Sequence, residues 1–242
     1  MPKLTEPIGD AGVAAIIVNY ETAESALAAA ASLLAQPSGA TLRVLIVDNP
    51  GPSRGVAHLE AALSRPELCG RVELVRNQTN VGFGRANNMA LERLQAKHPP
   101  PEFVLLMNPD AHVRSDALSR LIAALKADSA ADFAGPSLRL PETAALRHAA
   151  FRFPHLGTVF QRAINSRRFN AAMPAWRMGL ESGSQTRRVD WVSGACVLAR
   201  FRALVDLGGF DPRFFLYWEE VELMKRAAKA GRYVLHVPGA EV

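Results

Sequence analysis

Glu219 and Glu220 stand side by side at the start of the run Glu-Glu-Val-Glu-Leu-Met-Lys-Arg. The spacing predicts a helix over 218–230. With Glu219 at zero and ~100° per residue, Val221, Leu223, Met224, Ala227, Ala228 and Ala230 fall on one half. Glu222, Lys225, Arg226 and Lys229 fall on the other, so Glu222 is expected to be solvated and paired with Lys225 or Arg226. Glu220 points to the middle of the apolar half. Burying a carboxylate without a partner is expensive. Glu220 is therefore capped by backbone N–H groups, paired with a buried arginine, or kept for proton transfer. The helix dipole lowers its pKa and burial raises it, which leaves a usable general base.

Asp110 offers different chemistry. It follows the apolar run 103–107 and a rigidifying proline, in the turn Asn108-Pro109-Asp110. A carboxylate there can hold Mg²⁺ or Mn²⁺, ions that keep other positions for water and phosphate oxygens. A lone aspartate in a turn more often only shapes the turn. The polar groups gathered around Asp110 weigh against that simpler role.

Those groups need elements to gather them. Four apolar, β-branched runs, at 13–18, 42–47, 72–76 and 103–107, start about 30 residues apart, the rhythm of βα units. Helices are predicted between and after them, over 21–35, 56–64, 85–96 and 115–127. Uniformly apolar strands suit a parallel sheet covered on both faces. In such sheets ligands bind at the carboxyl ends of the strands. Asn19-Tyr20-Glu21, Asp48-Asn49, the loop from Asn77 to Arg85 and Asn108-Pro109-Asp110 follow the four strands in turn. The loop 80–88 contains Gly82-Phe83-Gly84. A nicotinamide-binding fold would carry its glycines after the first strand, where this chain has Asn-Tyr-Glu-Thr.

A further strand is expected near 132–138. After Pro141 the pattern breaks, and 141–188 reads as a loop-rich insertion. Regularity returns with one strand over 189–200, a short helix, the helix 218–230 stopped by Gly231, and a last strand over 232–237.

Hydrophobic residues make up 49% of the 242 positions and charged ones 21%, which excludes a disordered chain. No apolar run approaches the ~20 residues of a membrane span, and the N-terminus lacks a secretory h-region. Two cysteines, Cys69 and Cys196, make neither a disulfide framework nor a metal site, so a reducing cytoplasm is the expected compartment. The net charge of +5 is unevenly spread. Arg147, Arg152, Arg162, Arg167, Arg168, Arg177, Arg187 and Arg188 are opposed over that span only by Glu181 and are interleaved with aromatics. That mixture suits an anionic headgroup, a diphosphate or a nucleic acid. Its irregular spacing fits no nucleic-acid motif.

The ordered set IIVNYET, VDN, NVGFGRANN, LLMNPDAHV, WVSGACVLAR, GGFDPRFFLYWEEVELMKRAAKAG and VLHVP resembles the family 2 inverting glycosyltransferases, most closely their rhamnosyltransferase-like branch. The resemblance implies a single Rossmann-like GT-A domain over 1–242. Residues 13–140 would bind the nucleotide sugar, 141–188 would be the basic insertion, and 189–242 would form the acceptor and catalytic half. Relatives usually continue past the last strand to a metal-binding histidine, so a longer C-terminus is expected; His236, inside the strand, is a poor substitute.

By the same resemblance, Asp48 with Asn49 would contact the nucleoside, and Asn19, Tyr20 and Glu21 would line the base and ribose pocket. Gly84 and Arg85 would belong to the loop that closes on the donor. Asn108 and Asp110 would occupy the two ends of the DxD motif, with Asp110 on the metal. Trp191 and Gly194 would line the sugar and acceptor pocket. Glu219-Glu220 would match a Glu-Asp pair whose second member is the base. The implied reaction moves a sugar, rhamnose in this branch, from a dTDP- or UDP-sugar to a glycan or lipid-linked acceptor. It needs a divalent metal and runs at the cytoplasmic face of the inner membrane, with peripheral contact through 147–188. The rival reading is a GT-A-like module that binds sugar nucleotides or glycans without turnover.

Overall fold

β-branched and leucine-rich segments with no charged residue at their centres have to be covered on both faces, and this chain covers them with helices. In a computed structural model the described residues are 12–36, 42–52, 55–66, 68–114, 116–140, 143, 145–164, 166, 178–181 and 183–242. The strands β1 (Val13–Asn19), β2 (Leu42–Asp48), β3 (Val72–Arg76) and β4 (Phe103–Met107) run parallel in the order β3-β2-β1-β4. They alternate with α1 (Ala23–Leu34), α2 (Gly55–Ala62) and α3 (Phe83–Gln95), and α4 (Ala117–Ala127) follows β4. The four strands and four helices match the sequence expectations to within two residues at most ends, because hydrophobic period alone sets them.

The order reverses between β1 and β4, which opens a crevice at their carboxyl ends. Beyond β4 the sheet continues through β11 (Cys196–Arg200), β5 (Ala131–Arg139), β12 (Tyr233–Glu241) and β9 (Arg187–Val189). β11 runs antiparallel to both β4 and β5, so the sheet is mixed on this side. On one face Leu33, Leu59, Leu118 and Leu121 bury the inner sides of α1, α2 and α4. On the other, Ala86 and Ala90 of α3, Phe201 and Leu204 of α6 (Phe201–Asp206) and Val221 and Leu223 of α7 (Glu219–Lys229) do the same. The result is a three-layer α/β/α arrangement.

Two expectations are corrected. The segment 189–200 is three strands, not one. It leaves β9 at Asp190, whose Oδ2 accepts the Phe153 N–H at 2.7 Å. It then forms β10 (Trp191–Val192) in a small antiparallel sheet with β7 (Ala150–Phe151) and β8 (Gly179–Leu180). Ser193 Oγ turns the chain by accepting the Ala195 N–H at 3.3 Å, and β11 enters the large sheet. The segment after Pro141 is also more regular than a loop. Besides β7 and β8 it holds β6 (Leu146–Arg147), paired with β5, and α5 (Leu156–Ile164). Strands of two residues are too short to show a period, which is why the sequence hides them. Most of the stretch between 165 and 177 lies outside the described residues.

Candidate functional site

The register of β1 and β2 places Asn19 opposite Asp48 at the last rung. Both are buried, and Asn19 Nδ2 donates to Asp48 Oδ1 at 2.6 Å. Asn19 Oδ1 accepts from the Thr22 N–H and hydroxyl at 3.2 and 2.9 Å, which fixes the turn into α1. Within that turn Tyr20 is 47% exposed, and Glu21 takes a left-handed φ of 60° with its side chain over Gly51. A non-glycine residue held at positive φ costs about 1–2 kcal/mol. The cost is concentrated where Tyr20 and Glu21 meet the crevice. Asn49 is a hub. Its Oδ1 accepts from Asn77 Nδ2 at 2.8 Å and from the Val81 N–H at 3.4 Å, and its Nδ2 donates to the Gly82 carbonyl at 3.4 Å. The β3–α3 loop is thereby tied to the end of β2.

The end of β4 is tied to the acidic helix. The Asn108 N–H donates to the Ala195 carbonyl at 2.9 Å. The next residue back, Gly194, lies against Glu220: a side-chain carbon there would sit 3.4 Å from the Glu220 carboxyl carbon. The loop between β10 and β11 thus joins the Asn108-Pro109-Asp110 turn to Glu220. Glu220 is half-buried at the first turn of α7, and burial raises its pKa above the usual carboxylate range. N–H groups of its own residue, Gly194 and Val221 act in the opposite direction. Glu219 is buried as well, at 3% exposure, and burial followed by the neighbouring Glu220 charge raises its pKa. Its Oε2 is buried with no hydrogen-bond partner among the described residues.

The helical wheel needs amendment. Val221, Leu223, Met224 and Ala227 are buried as expected, but Ala228 and Ala230 are exposed. Glu222 is not a solvated surface group. Its side chain is only 22% exposed and holds Arg226 at 2.7 and 2.9 Å. Arg226 in turn donates to the Gly209 carbonyl at 2.7 Å and also to the Leu207 carbonyl. The pair ties α7 to the turn after α6, a contact that sequence spacing cannot show.

Other residues singled out from the sequence carry structural contacts. Gly84 is in α3, where a side chain would meet Phe210 Cβ at 3.1 Å. Arg85 is exposed, and its Nε donates to the Pro212 carbonyl at 3.1 Å. Both are set against the 210–213 turn. Trp191 is 7% exposed, stacks on Phe151 with centroids 4.1 Å apart, and donates from Nε1 to the Arg152 carbonyl at 3.0 Å. Its indole N–H is therefore already engaged, and its contacts are those of a packing residue in the small sheet.

Sequence reasoning gave no site role to Phe215–Trp218, although the motif behind the resemblance contains it and the expected helix began at Trp218. All four residues are exposed, and Tyr217 and Trp218 have φ of 70° and 74°. The Phe215 carbonyl accepts the Phe83 N–H at 3.1 Å, locking this segment over the start of α3. Asn88 completes the clamp by donating to the Phe210 carbonyl and accepting its N–H, both at 2.8 Å. Four apolar residues in a row beside two acids, and an Asn-Asn pair inside a helix, are the signals that could have marked it.

Asp110 is exposed on its turn. Among the described residues no three His, Cys, Asp or Glu side chains converge as a metal cage. A single open carboxylate suits an ion that takes its remaining ligands from water and a diphosphate, so the donor set fits a shared cation and not a sequestered one. His236 does not join Asp110. It is fully buried in β12, with Nε2 3.4 Å from Ser137 Oγ.

The helix-covered sheet, parallel through β4 and mixed beyond it, is the GT-A fold shared with solved glycosyltransferases. The chain belongs to Glycosyl transferase family 2, whose profile matches residues 14–182. It is similar to the N-acetylglucosaminyl-diphospho-decaprenol L-rhamnosyltransferase of Mycobacterium tuberculosis, at 33% identity over 207 residues, covering 82% of this chain and 65% of that protein. It is also similar to the rhamnosyltransferase WbbL of Escherichia coli K12, at 30% identity, covering 65% of this chain and 58% of that one. The chain thus spans less than two thirds of the length of these curated relatives. Among solved structures, GalNAc-T7 with UDP, GalNAc and Mn²⁺ superposes with a TM-score of 0.71 at 13% identity, covering 95% of this chain and 42% of that one. That likeness is one of fold.

Proposed function

We propose that this chain is the catalytic domain of an inverting, metal-dependent glycosyltransferase that moves a sugar, rhamnose by preference, from a dTDP- or UDP-linked donor to a glycan or lipid-linked acceptor. The observation that carries the reading is the link from Asn108 through Ala195 and Gly194 to Glu220, which joins the turn of Asp110 to a half-buried carboxylate. The relatives named as rhamnosyltransferases support the sugar, and the diphospho-decaprenol in one of those names supports the lipid-linked acceptor.

In this reading Asn19, Asp48 and Asn49 form the floor of the nucleoside pocket. Tyr20 offers an exposed ring to the base, and Glu21 lies beside it. Gly84 and Arg85 act indirectly, by seating the turn that packs on the donor loop. Trp191 supports the acceptor side, and Gly194 keeps it open by lacking a side chain. The acceptor hydroxyl gives its proton to Glu220 as its oxygen bonds to the anomeric carbon. The bond from that carbon to the phosphate oxygen breaks on the opposite side, and the nucleoside diphosphate leaves with the electron pair. Glu219 stands beside Glu220, buried and with its Oε2 unpartnered among the described residues, as the second acid of the pair. Asp110 would hold a divalent cation, Mg²⁺ or Mn²⁺, which supplies charge neutralisation for the diphosphate. A lipid-linked acceptor brings the chain to the cytoplasmic face of a membrane, with 147–188 as the basic contact in polysaccharide biosynthesis.

The test is transfer. The chain, extended to the full gene product where the gene encodes more, is given dTDP-rhamnose, UDP-sugars and a diphospho-polyprenol acceptor with Mn²⁺. Release of nucleoside diphosphate coupled to an inverted linkage supports the reading. Nucleotide-sugar binding without turnover would convert it to the binding-module reading.

A further inference from the structure

A helix on the surface of a folded domain normally turns its apolar stripe inward. α5 does the reverse. Leu156, Phe160 and Ile164 recur every four residues, so they share one face, and they are 89%, 56% and 42% exposed. Thr158, on a different face, is 3% exposed. The helix start is fixed by a reciprocal pair: the Thr158 N–H donates to His155 Nδ1 and the His155 N–H to Thr158 Oγ1, both at 3.4 Å. Thr158 therefore anchors the helix start while Leu156, Phe160 and Ile164 face out. No helix among the described residues is long and apolar enough to cross a membrane, so α5 does not span one.

Cations stand near the start of α5: Arg152 precedes Leu156 by four residues, and Arg188 shares a pocket with Phe153. Arg147, Arg152, Arg187 and Arg188 are exposed. Phe153, three residues before Leu156, lies under Lys225 Nζ at 5.7 Å from the ring centroid. Phe153 also lines a pocket of about 250 Å³ with Arg188, Arg232 and Tyr233, over whose ring Arg188 lies at 3.5 Å. Asp190 is the acid in that lining, and Arg232 is paired with Asp132 and Asp206. An outward apolar helix face with arginines near its start is complementary to an anionic lipid surface, with apolar groups at the acyl boundary and cations at the headgroups.

We infer that α5 is an in-plane membrane anchor, with Leu156, Phe160 and Ile164 entering an anionic bilayer surface and Arg152 and Arg188 near the helix start meeting its headgroups. This deepens the transfer reading, since a lipid-linked acceptor is met at such a surface, but it rests on α5 and its arginines alone. Flotation with phosphatidylglycerol–phosphatidylcholine vesicles and with pure phosphatidylcholine vesicles tests it. The protein should float with the anionic vesicles and not the neutral ones. Leu156→Ser/Phe160→Ser/Ile164→Ser should lower that partitioning by about tenfold or more. All three positions are exposed, so the variant should keep the parent's thermal midpoint. A dye on Leu156→Cys, in a Cys69→Ser background, should shift to the blue with anionic vesicles.

Equal binding by the triple variant would overturn the proposal, because charge alone would then hold the membrane. So would a wild-type dimer that the triple substitution makes monomeric, since α5 would then cover a second copy of the chain. Nucleotide-sugar binding, measured on the same samples, is independent of these outcomes. Its loss with flotation intact would count against the transferase reading and leave the anchor standing.

Discussion

At the scale of single residues, the two carboxylates Glu220 and Glu222 lie two positions apart and have different surroundings, Glu220 against Gly194 and Glu222 on Arg226. Glu220→Gln keeps size and most hydrogen bonding but cannot accept a proton. Turnover should fall by roughly 10²–10⁴-fold, the usual worth of general-base catalysis, with donor KM nearly unchanged. Steady-state kinetics with saturating donor checks this, and near-normal kcat would shift the base to Glu219. Burial sets the Glu220 pKa above the ordinary glutamate value. The active form is the carboxylate, so kcat/KM should rise as pH climbs through that raised pKa, and the Gln variant should lose this acidic limb. Glu222→Gln should spare turnover but lower stability by about 1–3 kcal/mol, since it weakens a partly buried charged pair that holds two backbone carbonyls through Arg226. Urea unfolding separates the two variants. Asp110→Ala removes an exposed side chain, so the fold should persist while the Mn²⁺-dependent part of nucleotide affinity disappears. Calorimetry with Mn²⁺ and with chelator reads that difference, and equal affinities in both would remove Asp110 from the metal role.

At the scale of elements, the site is held by loops that pin one another. The Asn88 side chain satisfies both backbone groups of Phe210, and Gly82 at φ 83° lies against the Phe215 carbonyl. Asn88→Ala would strand a buried-side donor and acceptor at once, a cost of about 1–3 kcal/mol. Because the 210–218 segment packs on the β3–α3 loop, to which the proposal gives the donor, donor KM should rise in Asn88→Ala more than acceptor KM. A stability loss with both KM values unchanged would make the clamp purely structural. The regular βα units were legible in the sequence because their hydrophobic period is local. The clamp was not, because Asn88 and Phe210 are far apart in the chain and meet only when α3 and the 210–218 turn are on the same face of the sheet.

At the scale of the whole molecule, the outer half of the sheet is expected to lose stability in acid through His236. His236 is fully buried in β12, and burial, followed by the Arg187 charge, lowers its pKa from 6.5 to about 4. A histidine depressed in the folded state binds its proton more readily when unfolded. Its contribution to stability is present above the unfolded pKa and is lost as pH falls from about 6.5 towards about 4. The loss is about 3 kcal/mol at the end of that range. His236→Gln should flatten the urea midpoint against pH across this window relative to the parent, whatever its absolute stability. A slope unchanged by the substitution would assign the acid sensitivity to carboxylates elsewhere.

The sequence by itself determined the parallel half of the sheet, the polar ends of its strands and the acidic start of α7. Those are local matters of period, turn chemistry and neighbouring residue type. It also singled out Asn19, Asp48 and Asp110, because polar residues directly after successive apolar strands share one edge of a parallel sheet, and Glu220, because a carboxylate on the apolar side of a helix is costly without a partner. The tertiary structure alone decided what the other marked residues touch. Trp191 stacks on Phe151 because 189–200 divides between two sheets, and Gly84 and Arg85 lie against the 210–213 segment. Glu222 proved to be half of a partly buried clamp, since the carbonyls that Arg226 reaches come from a different element. The outward face of α5 was hidden for the same reason. Which side of an amphipathic helix meets the protein depends on what the rest of the chain places beneath it, and no local pattern records that.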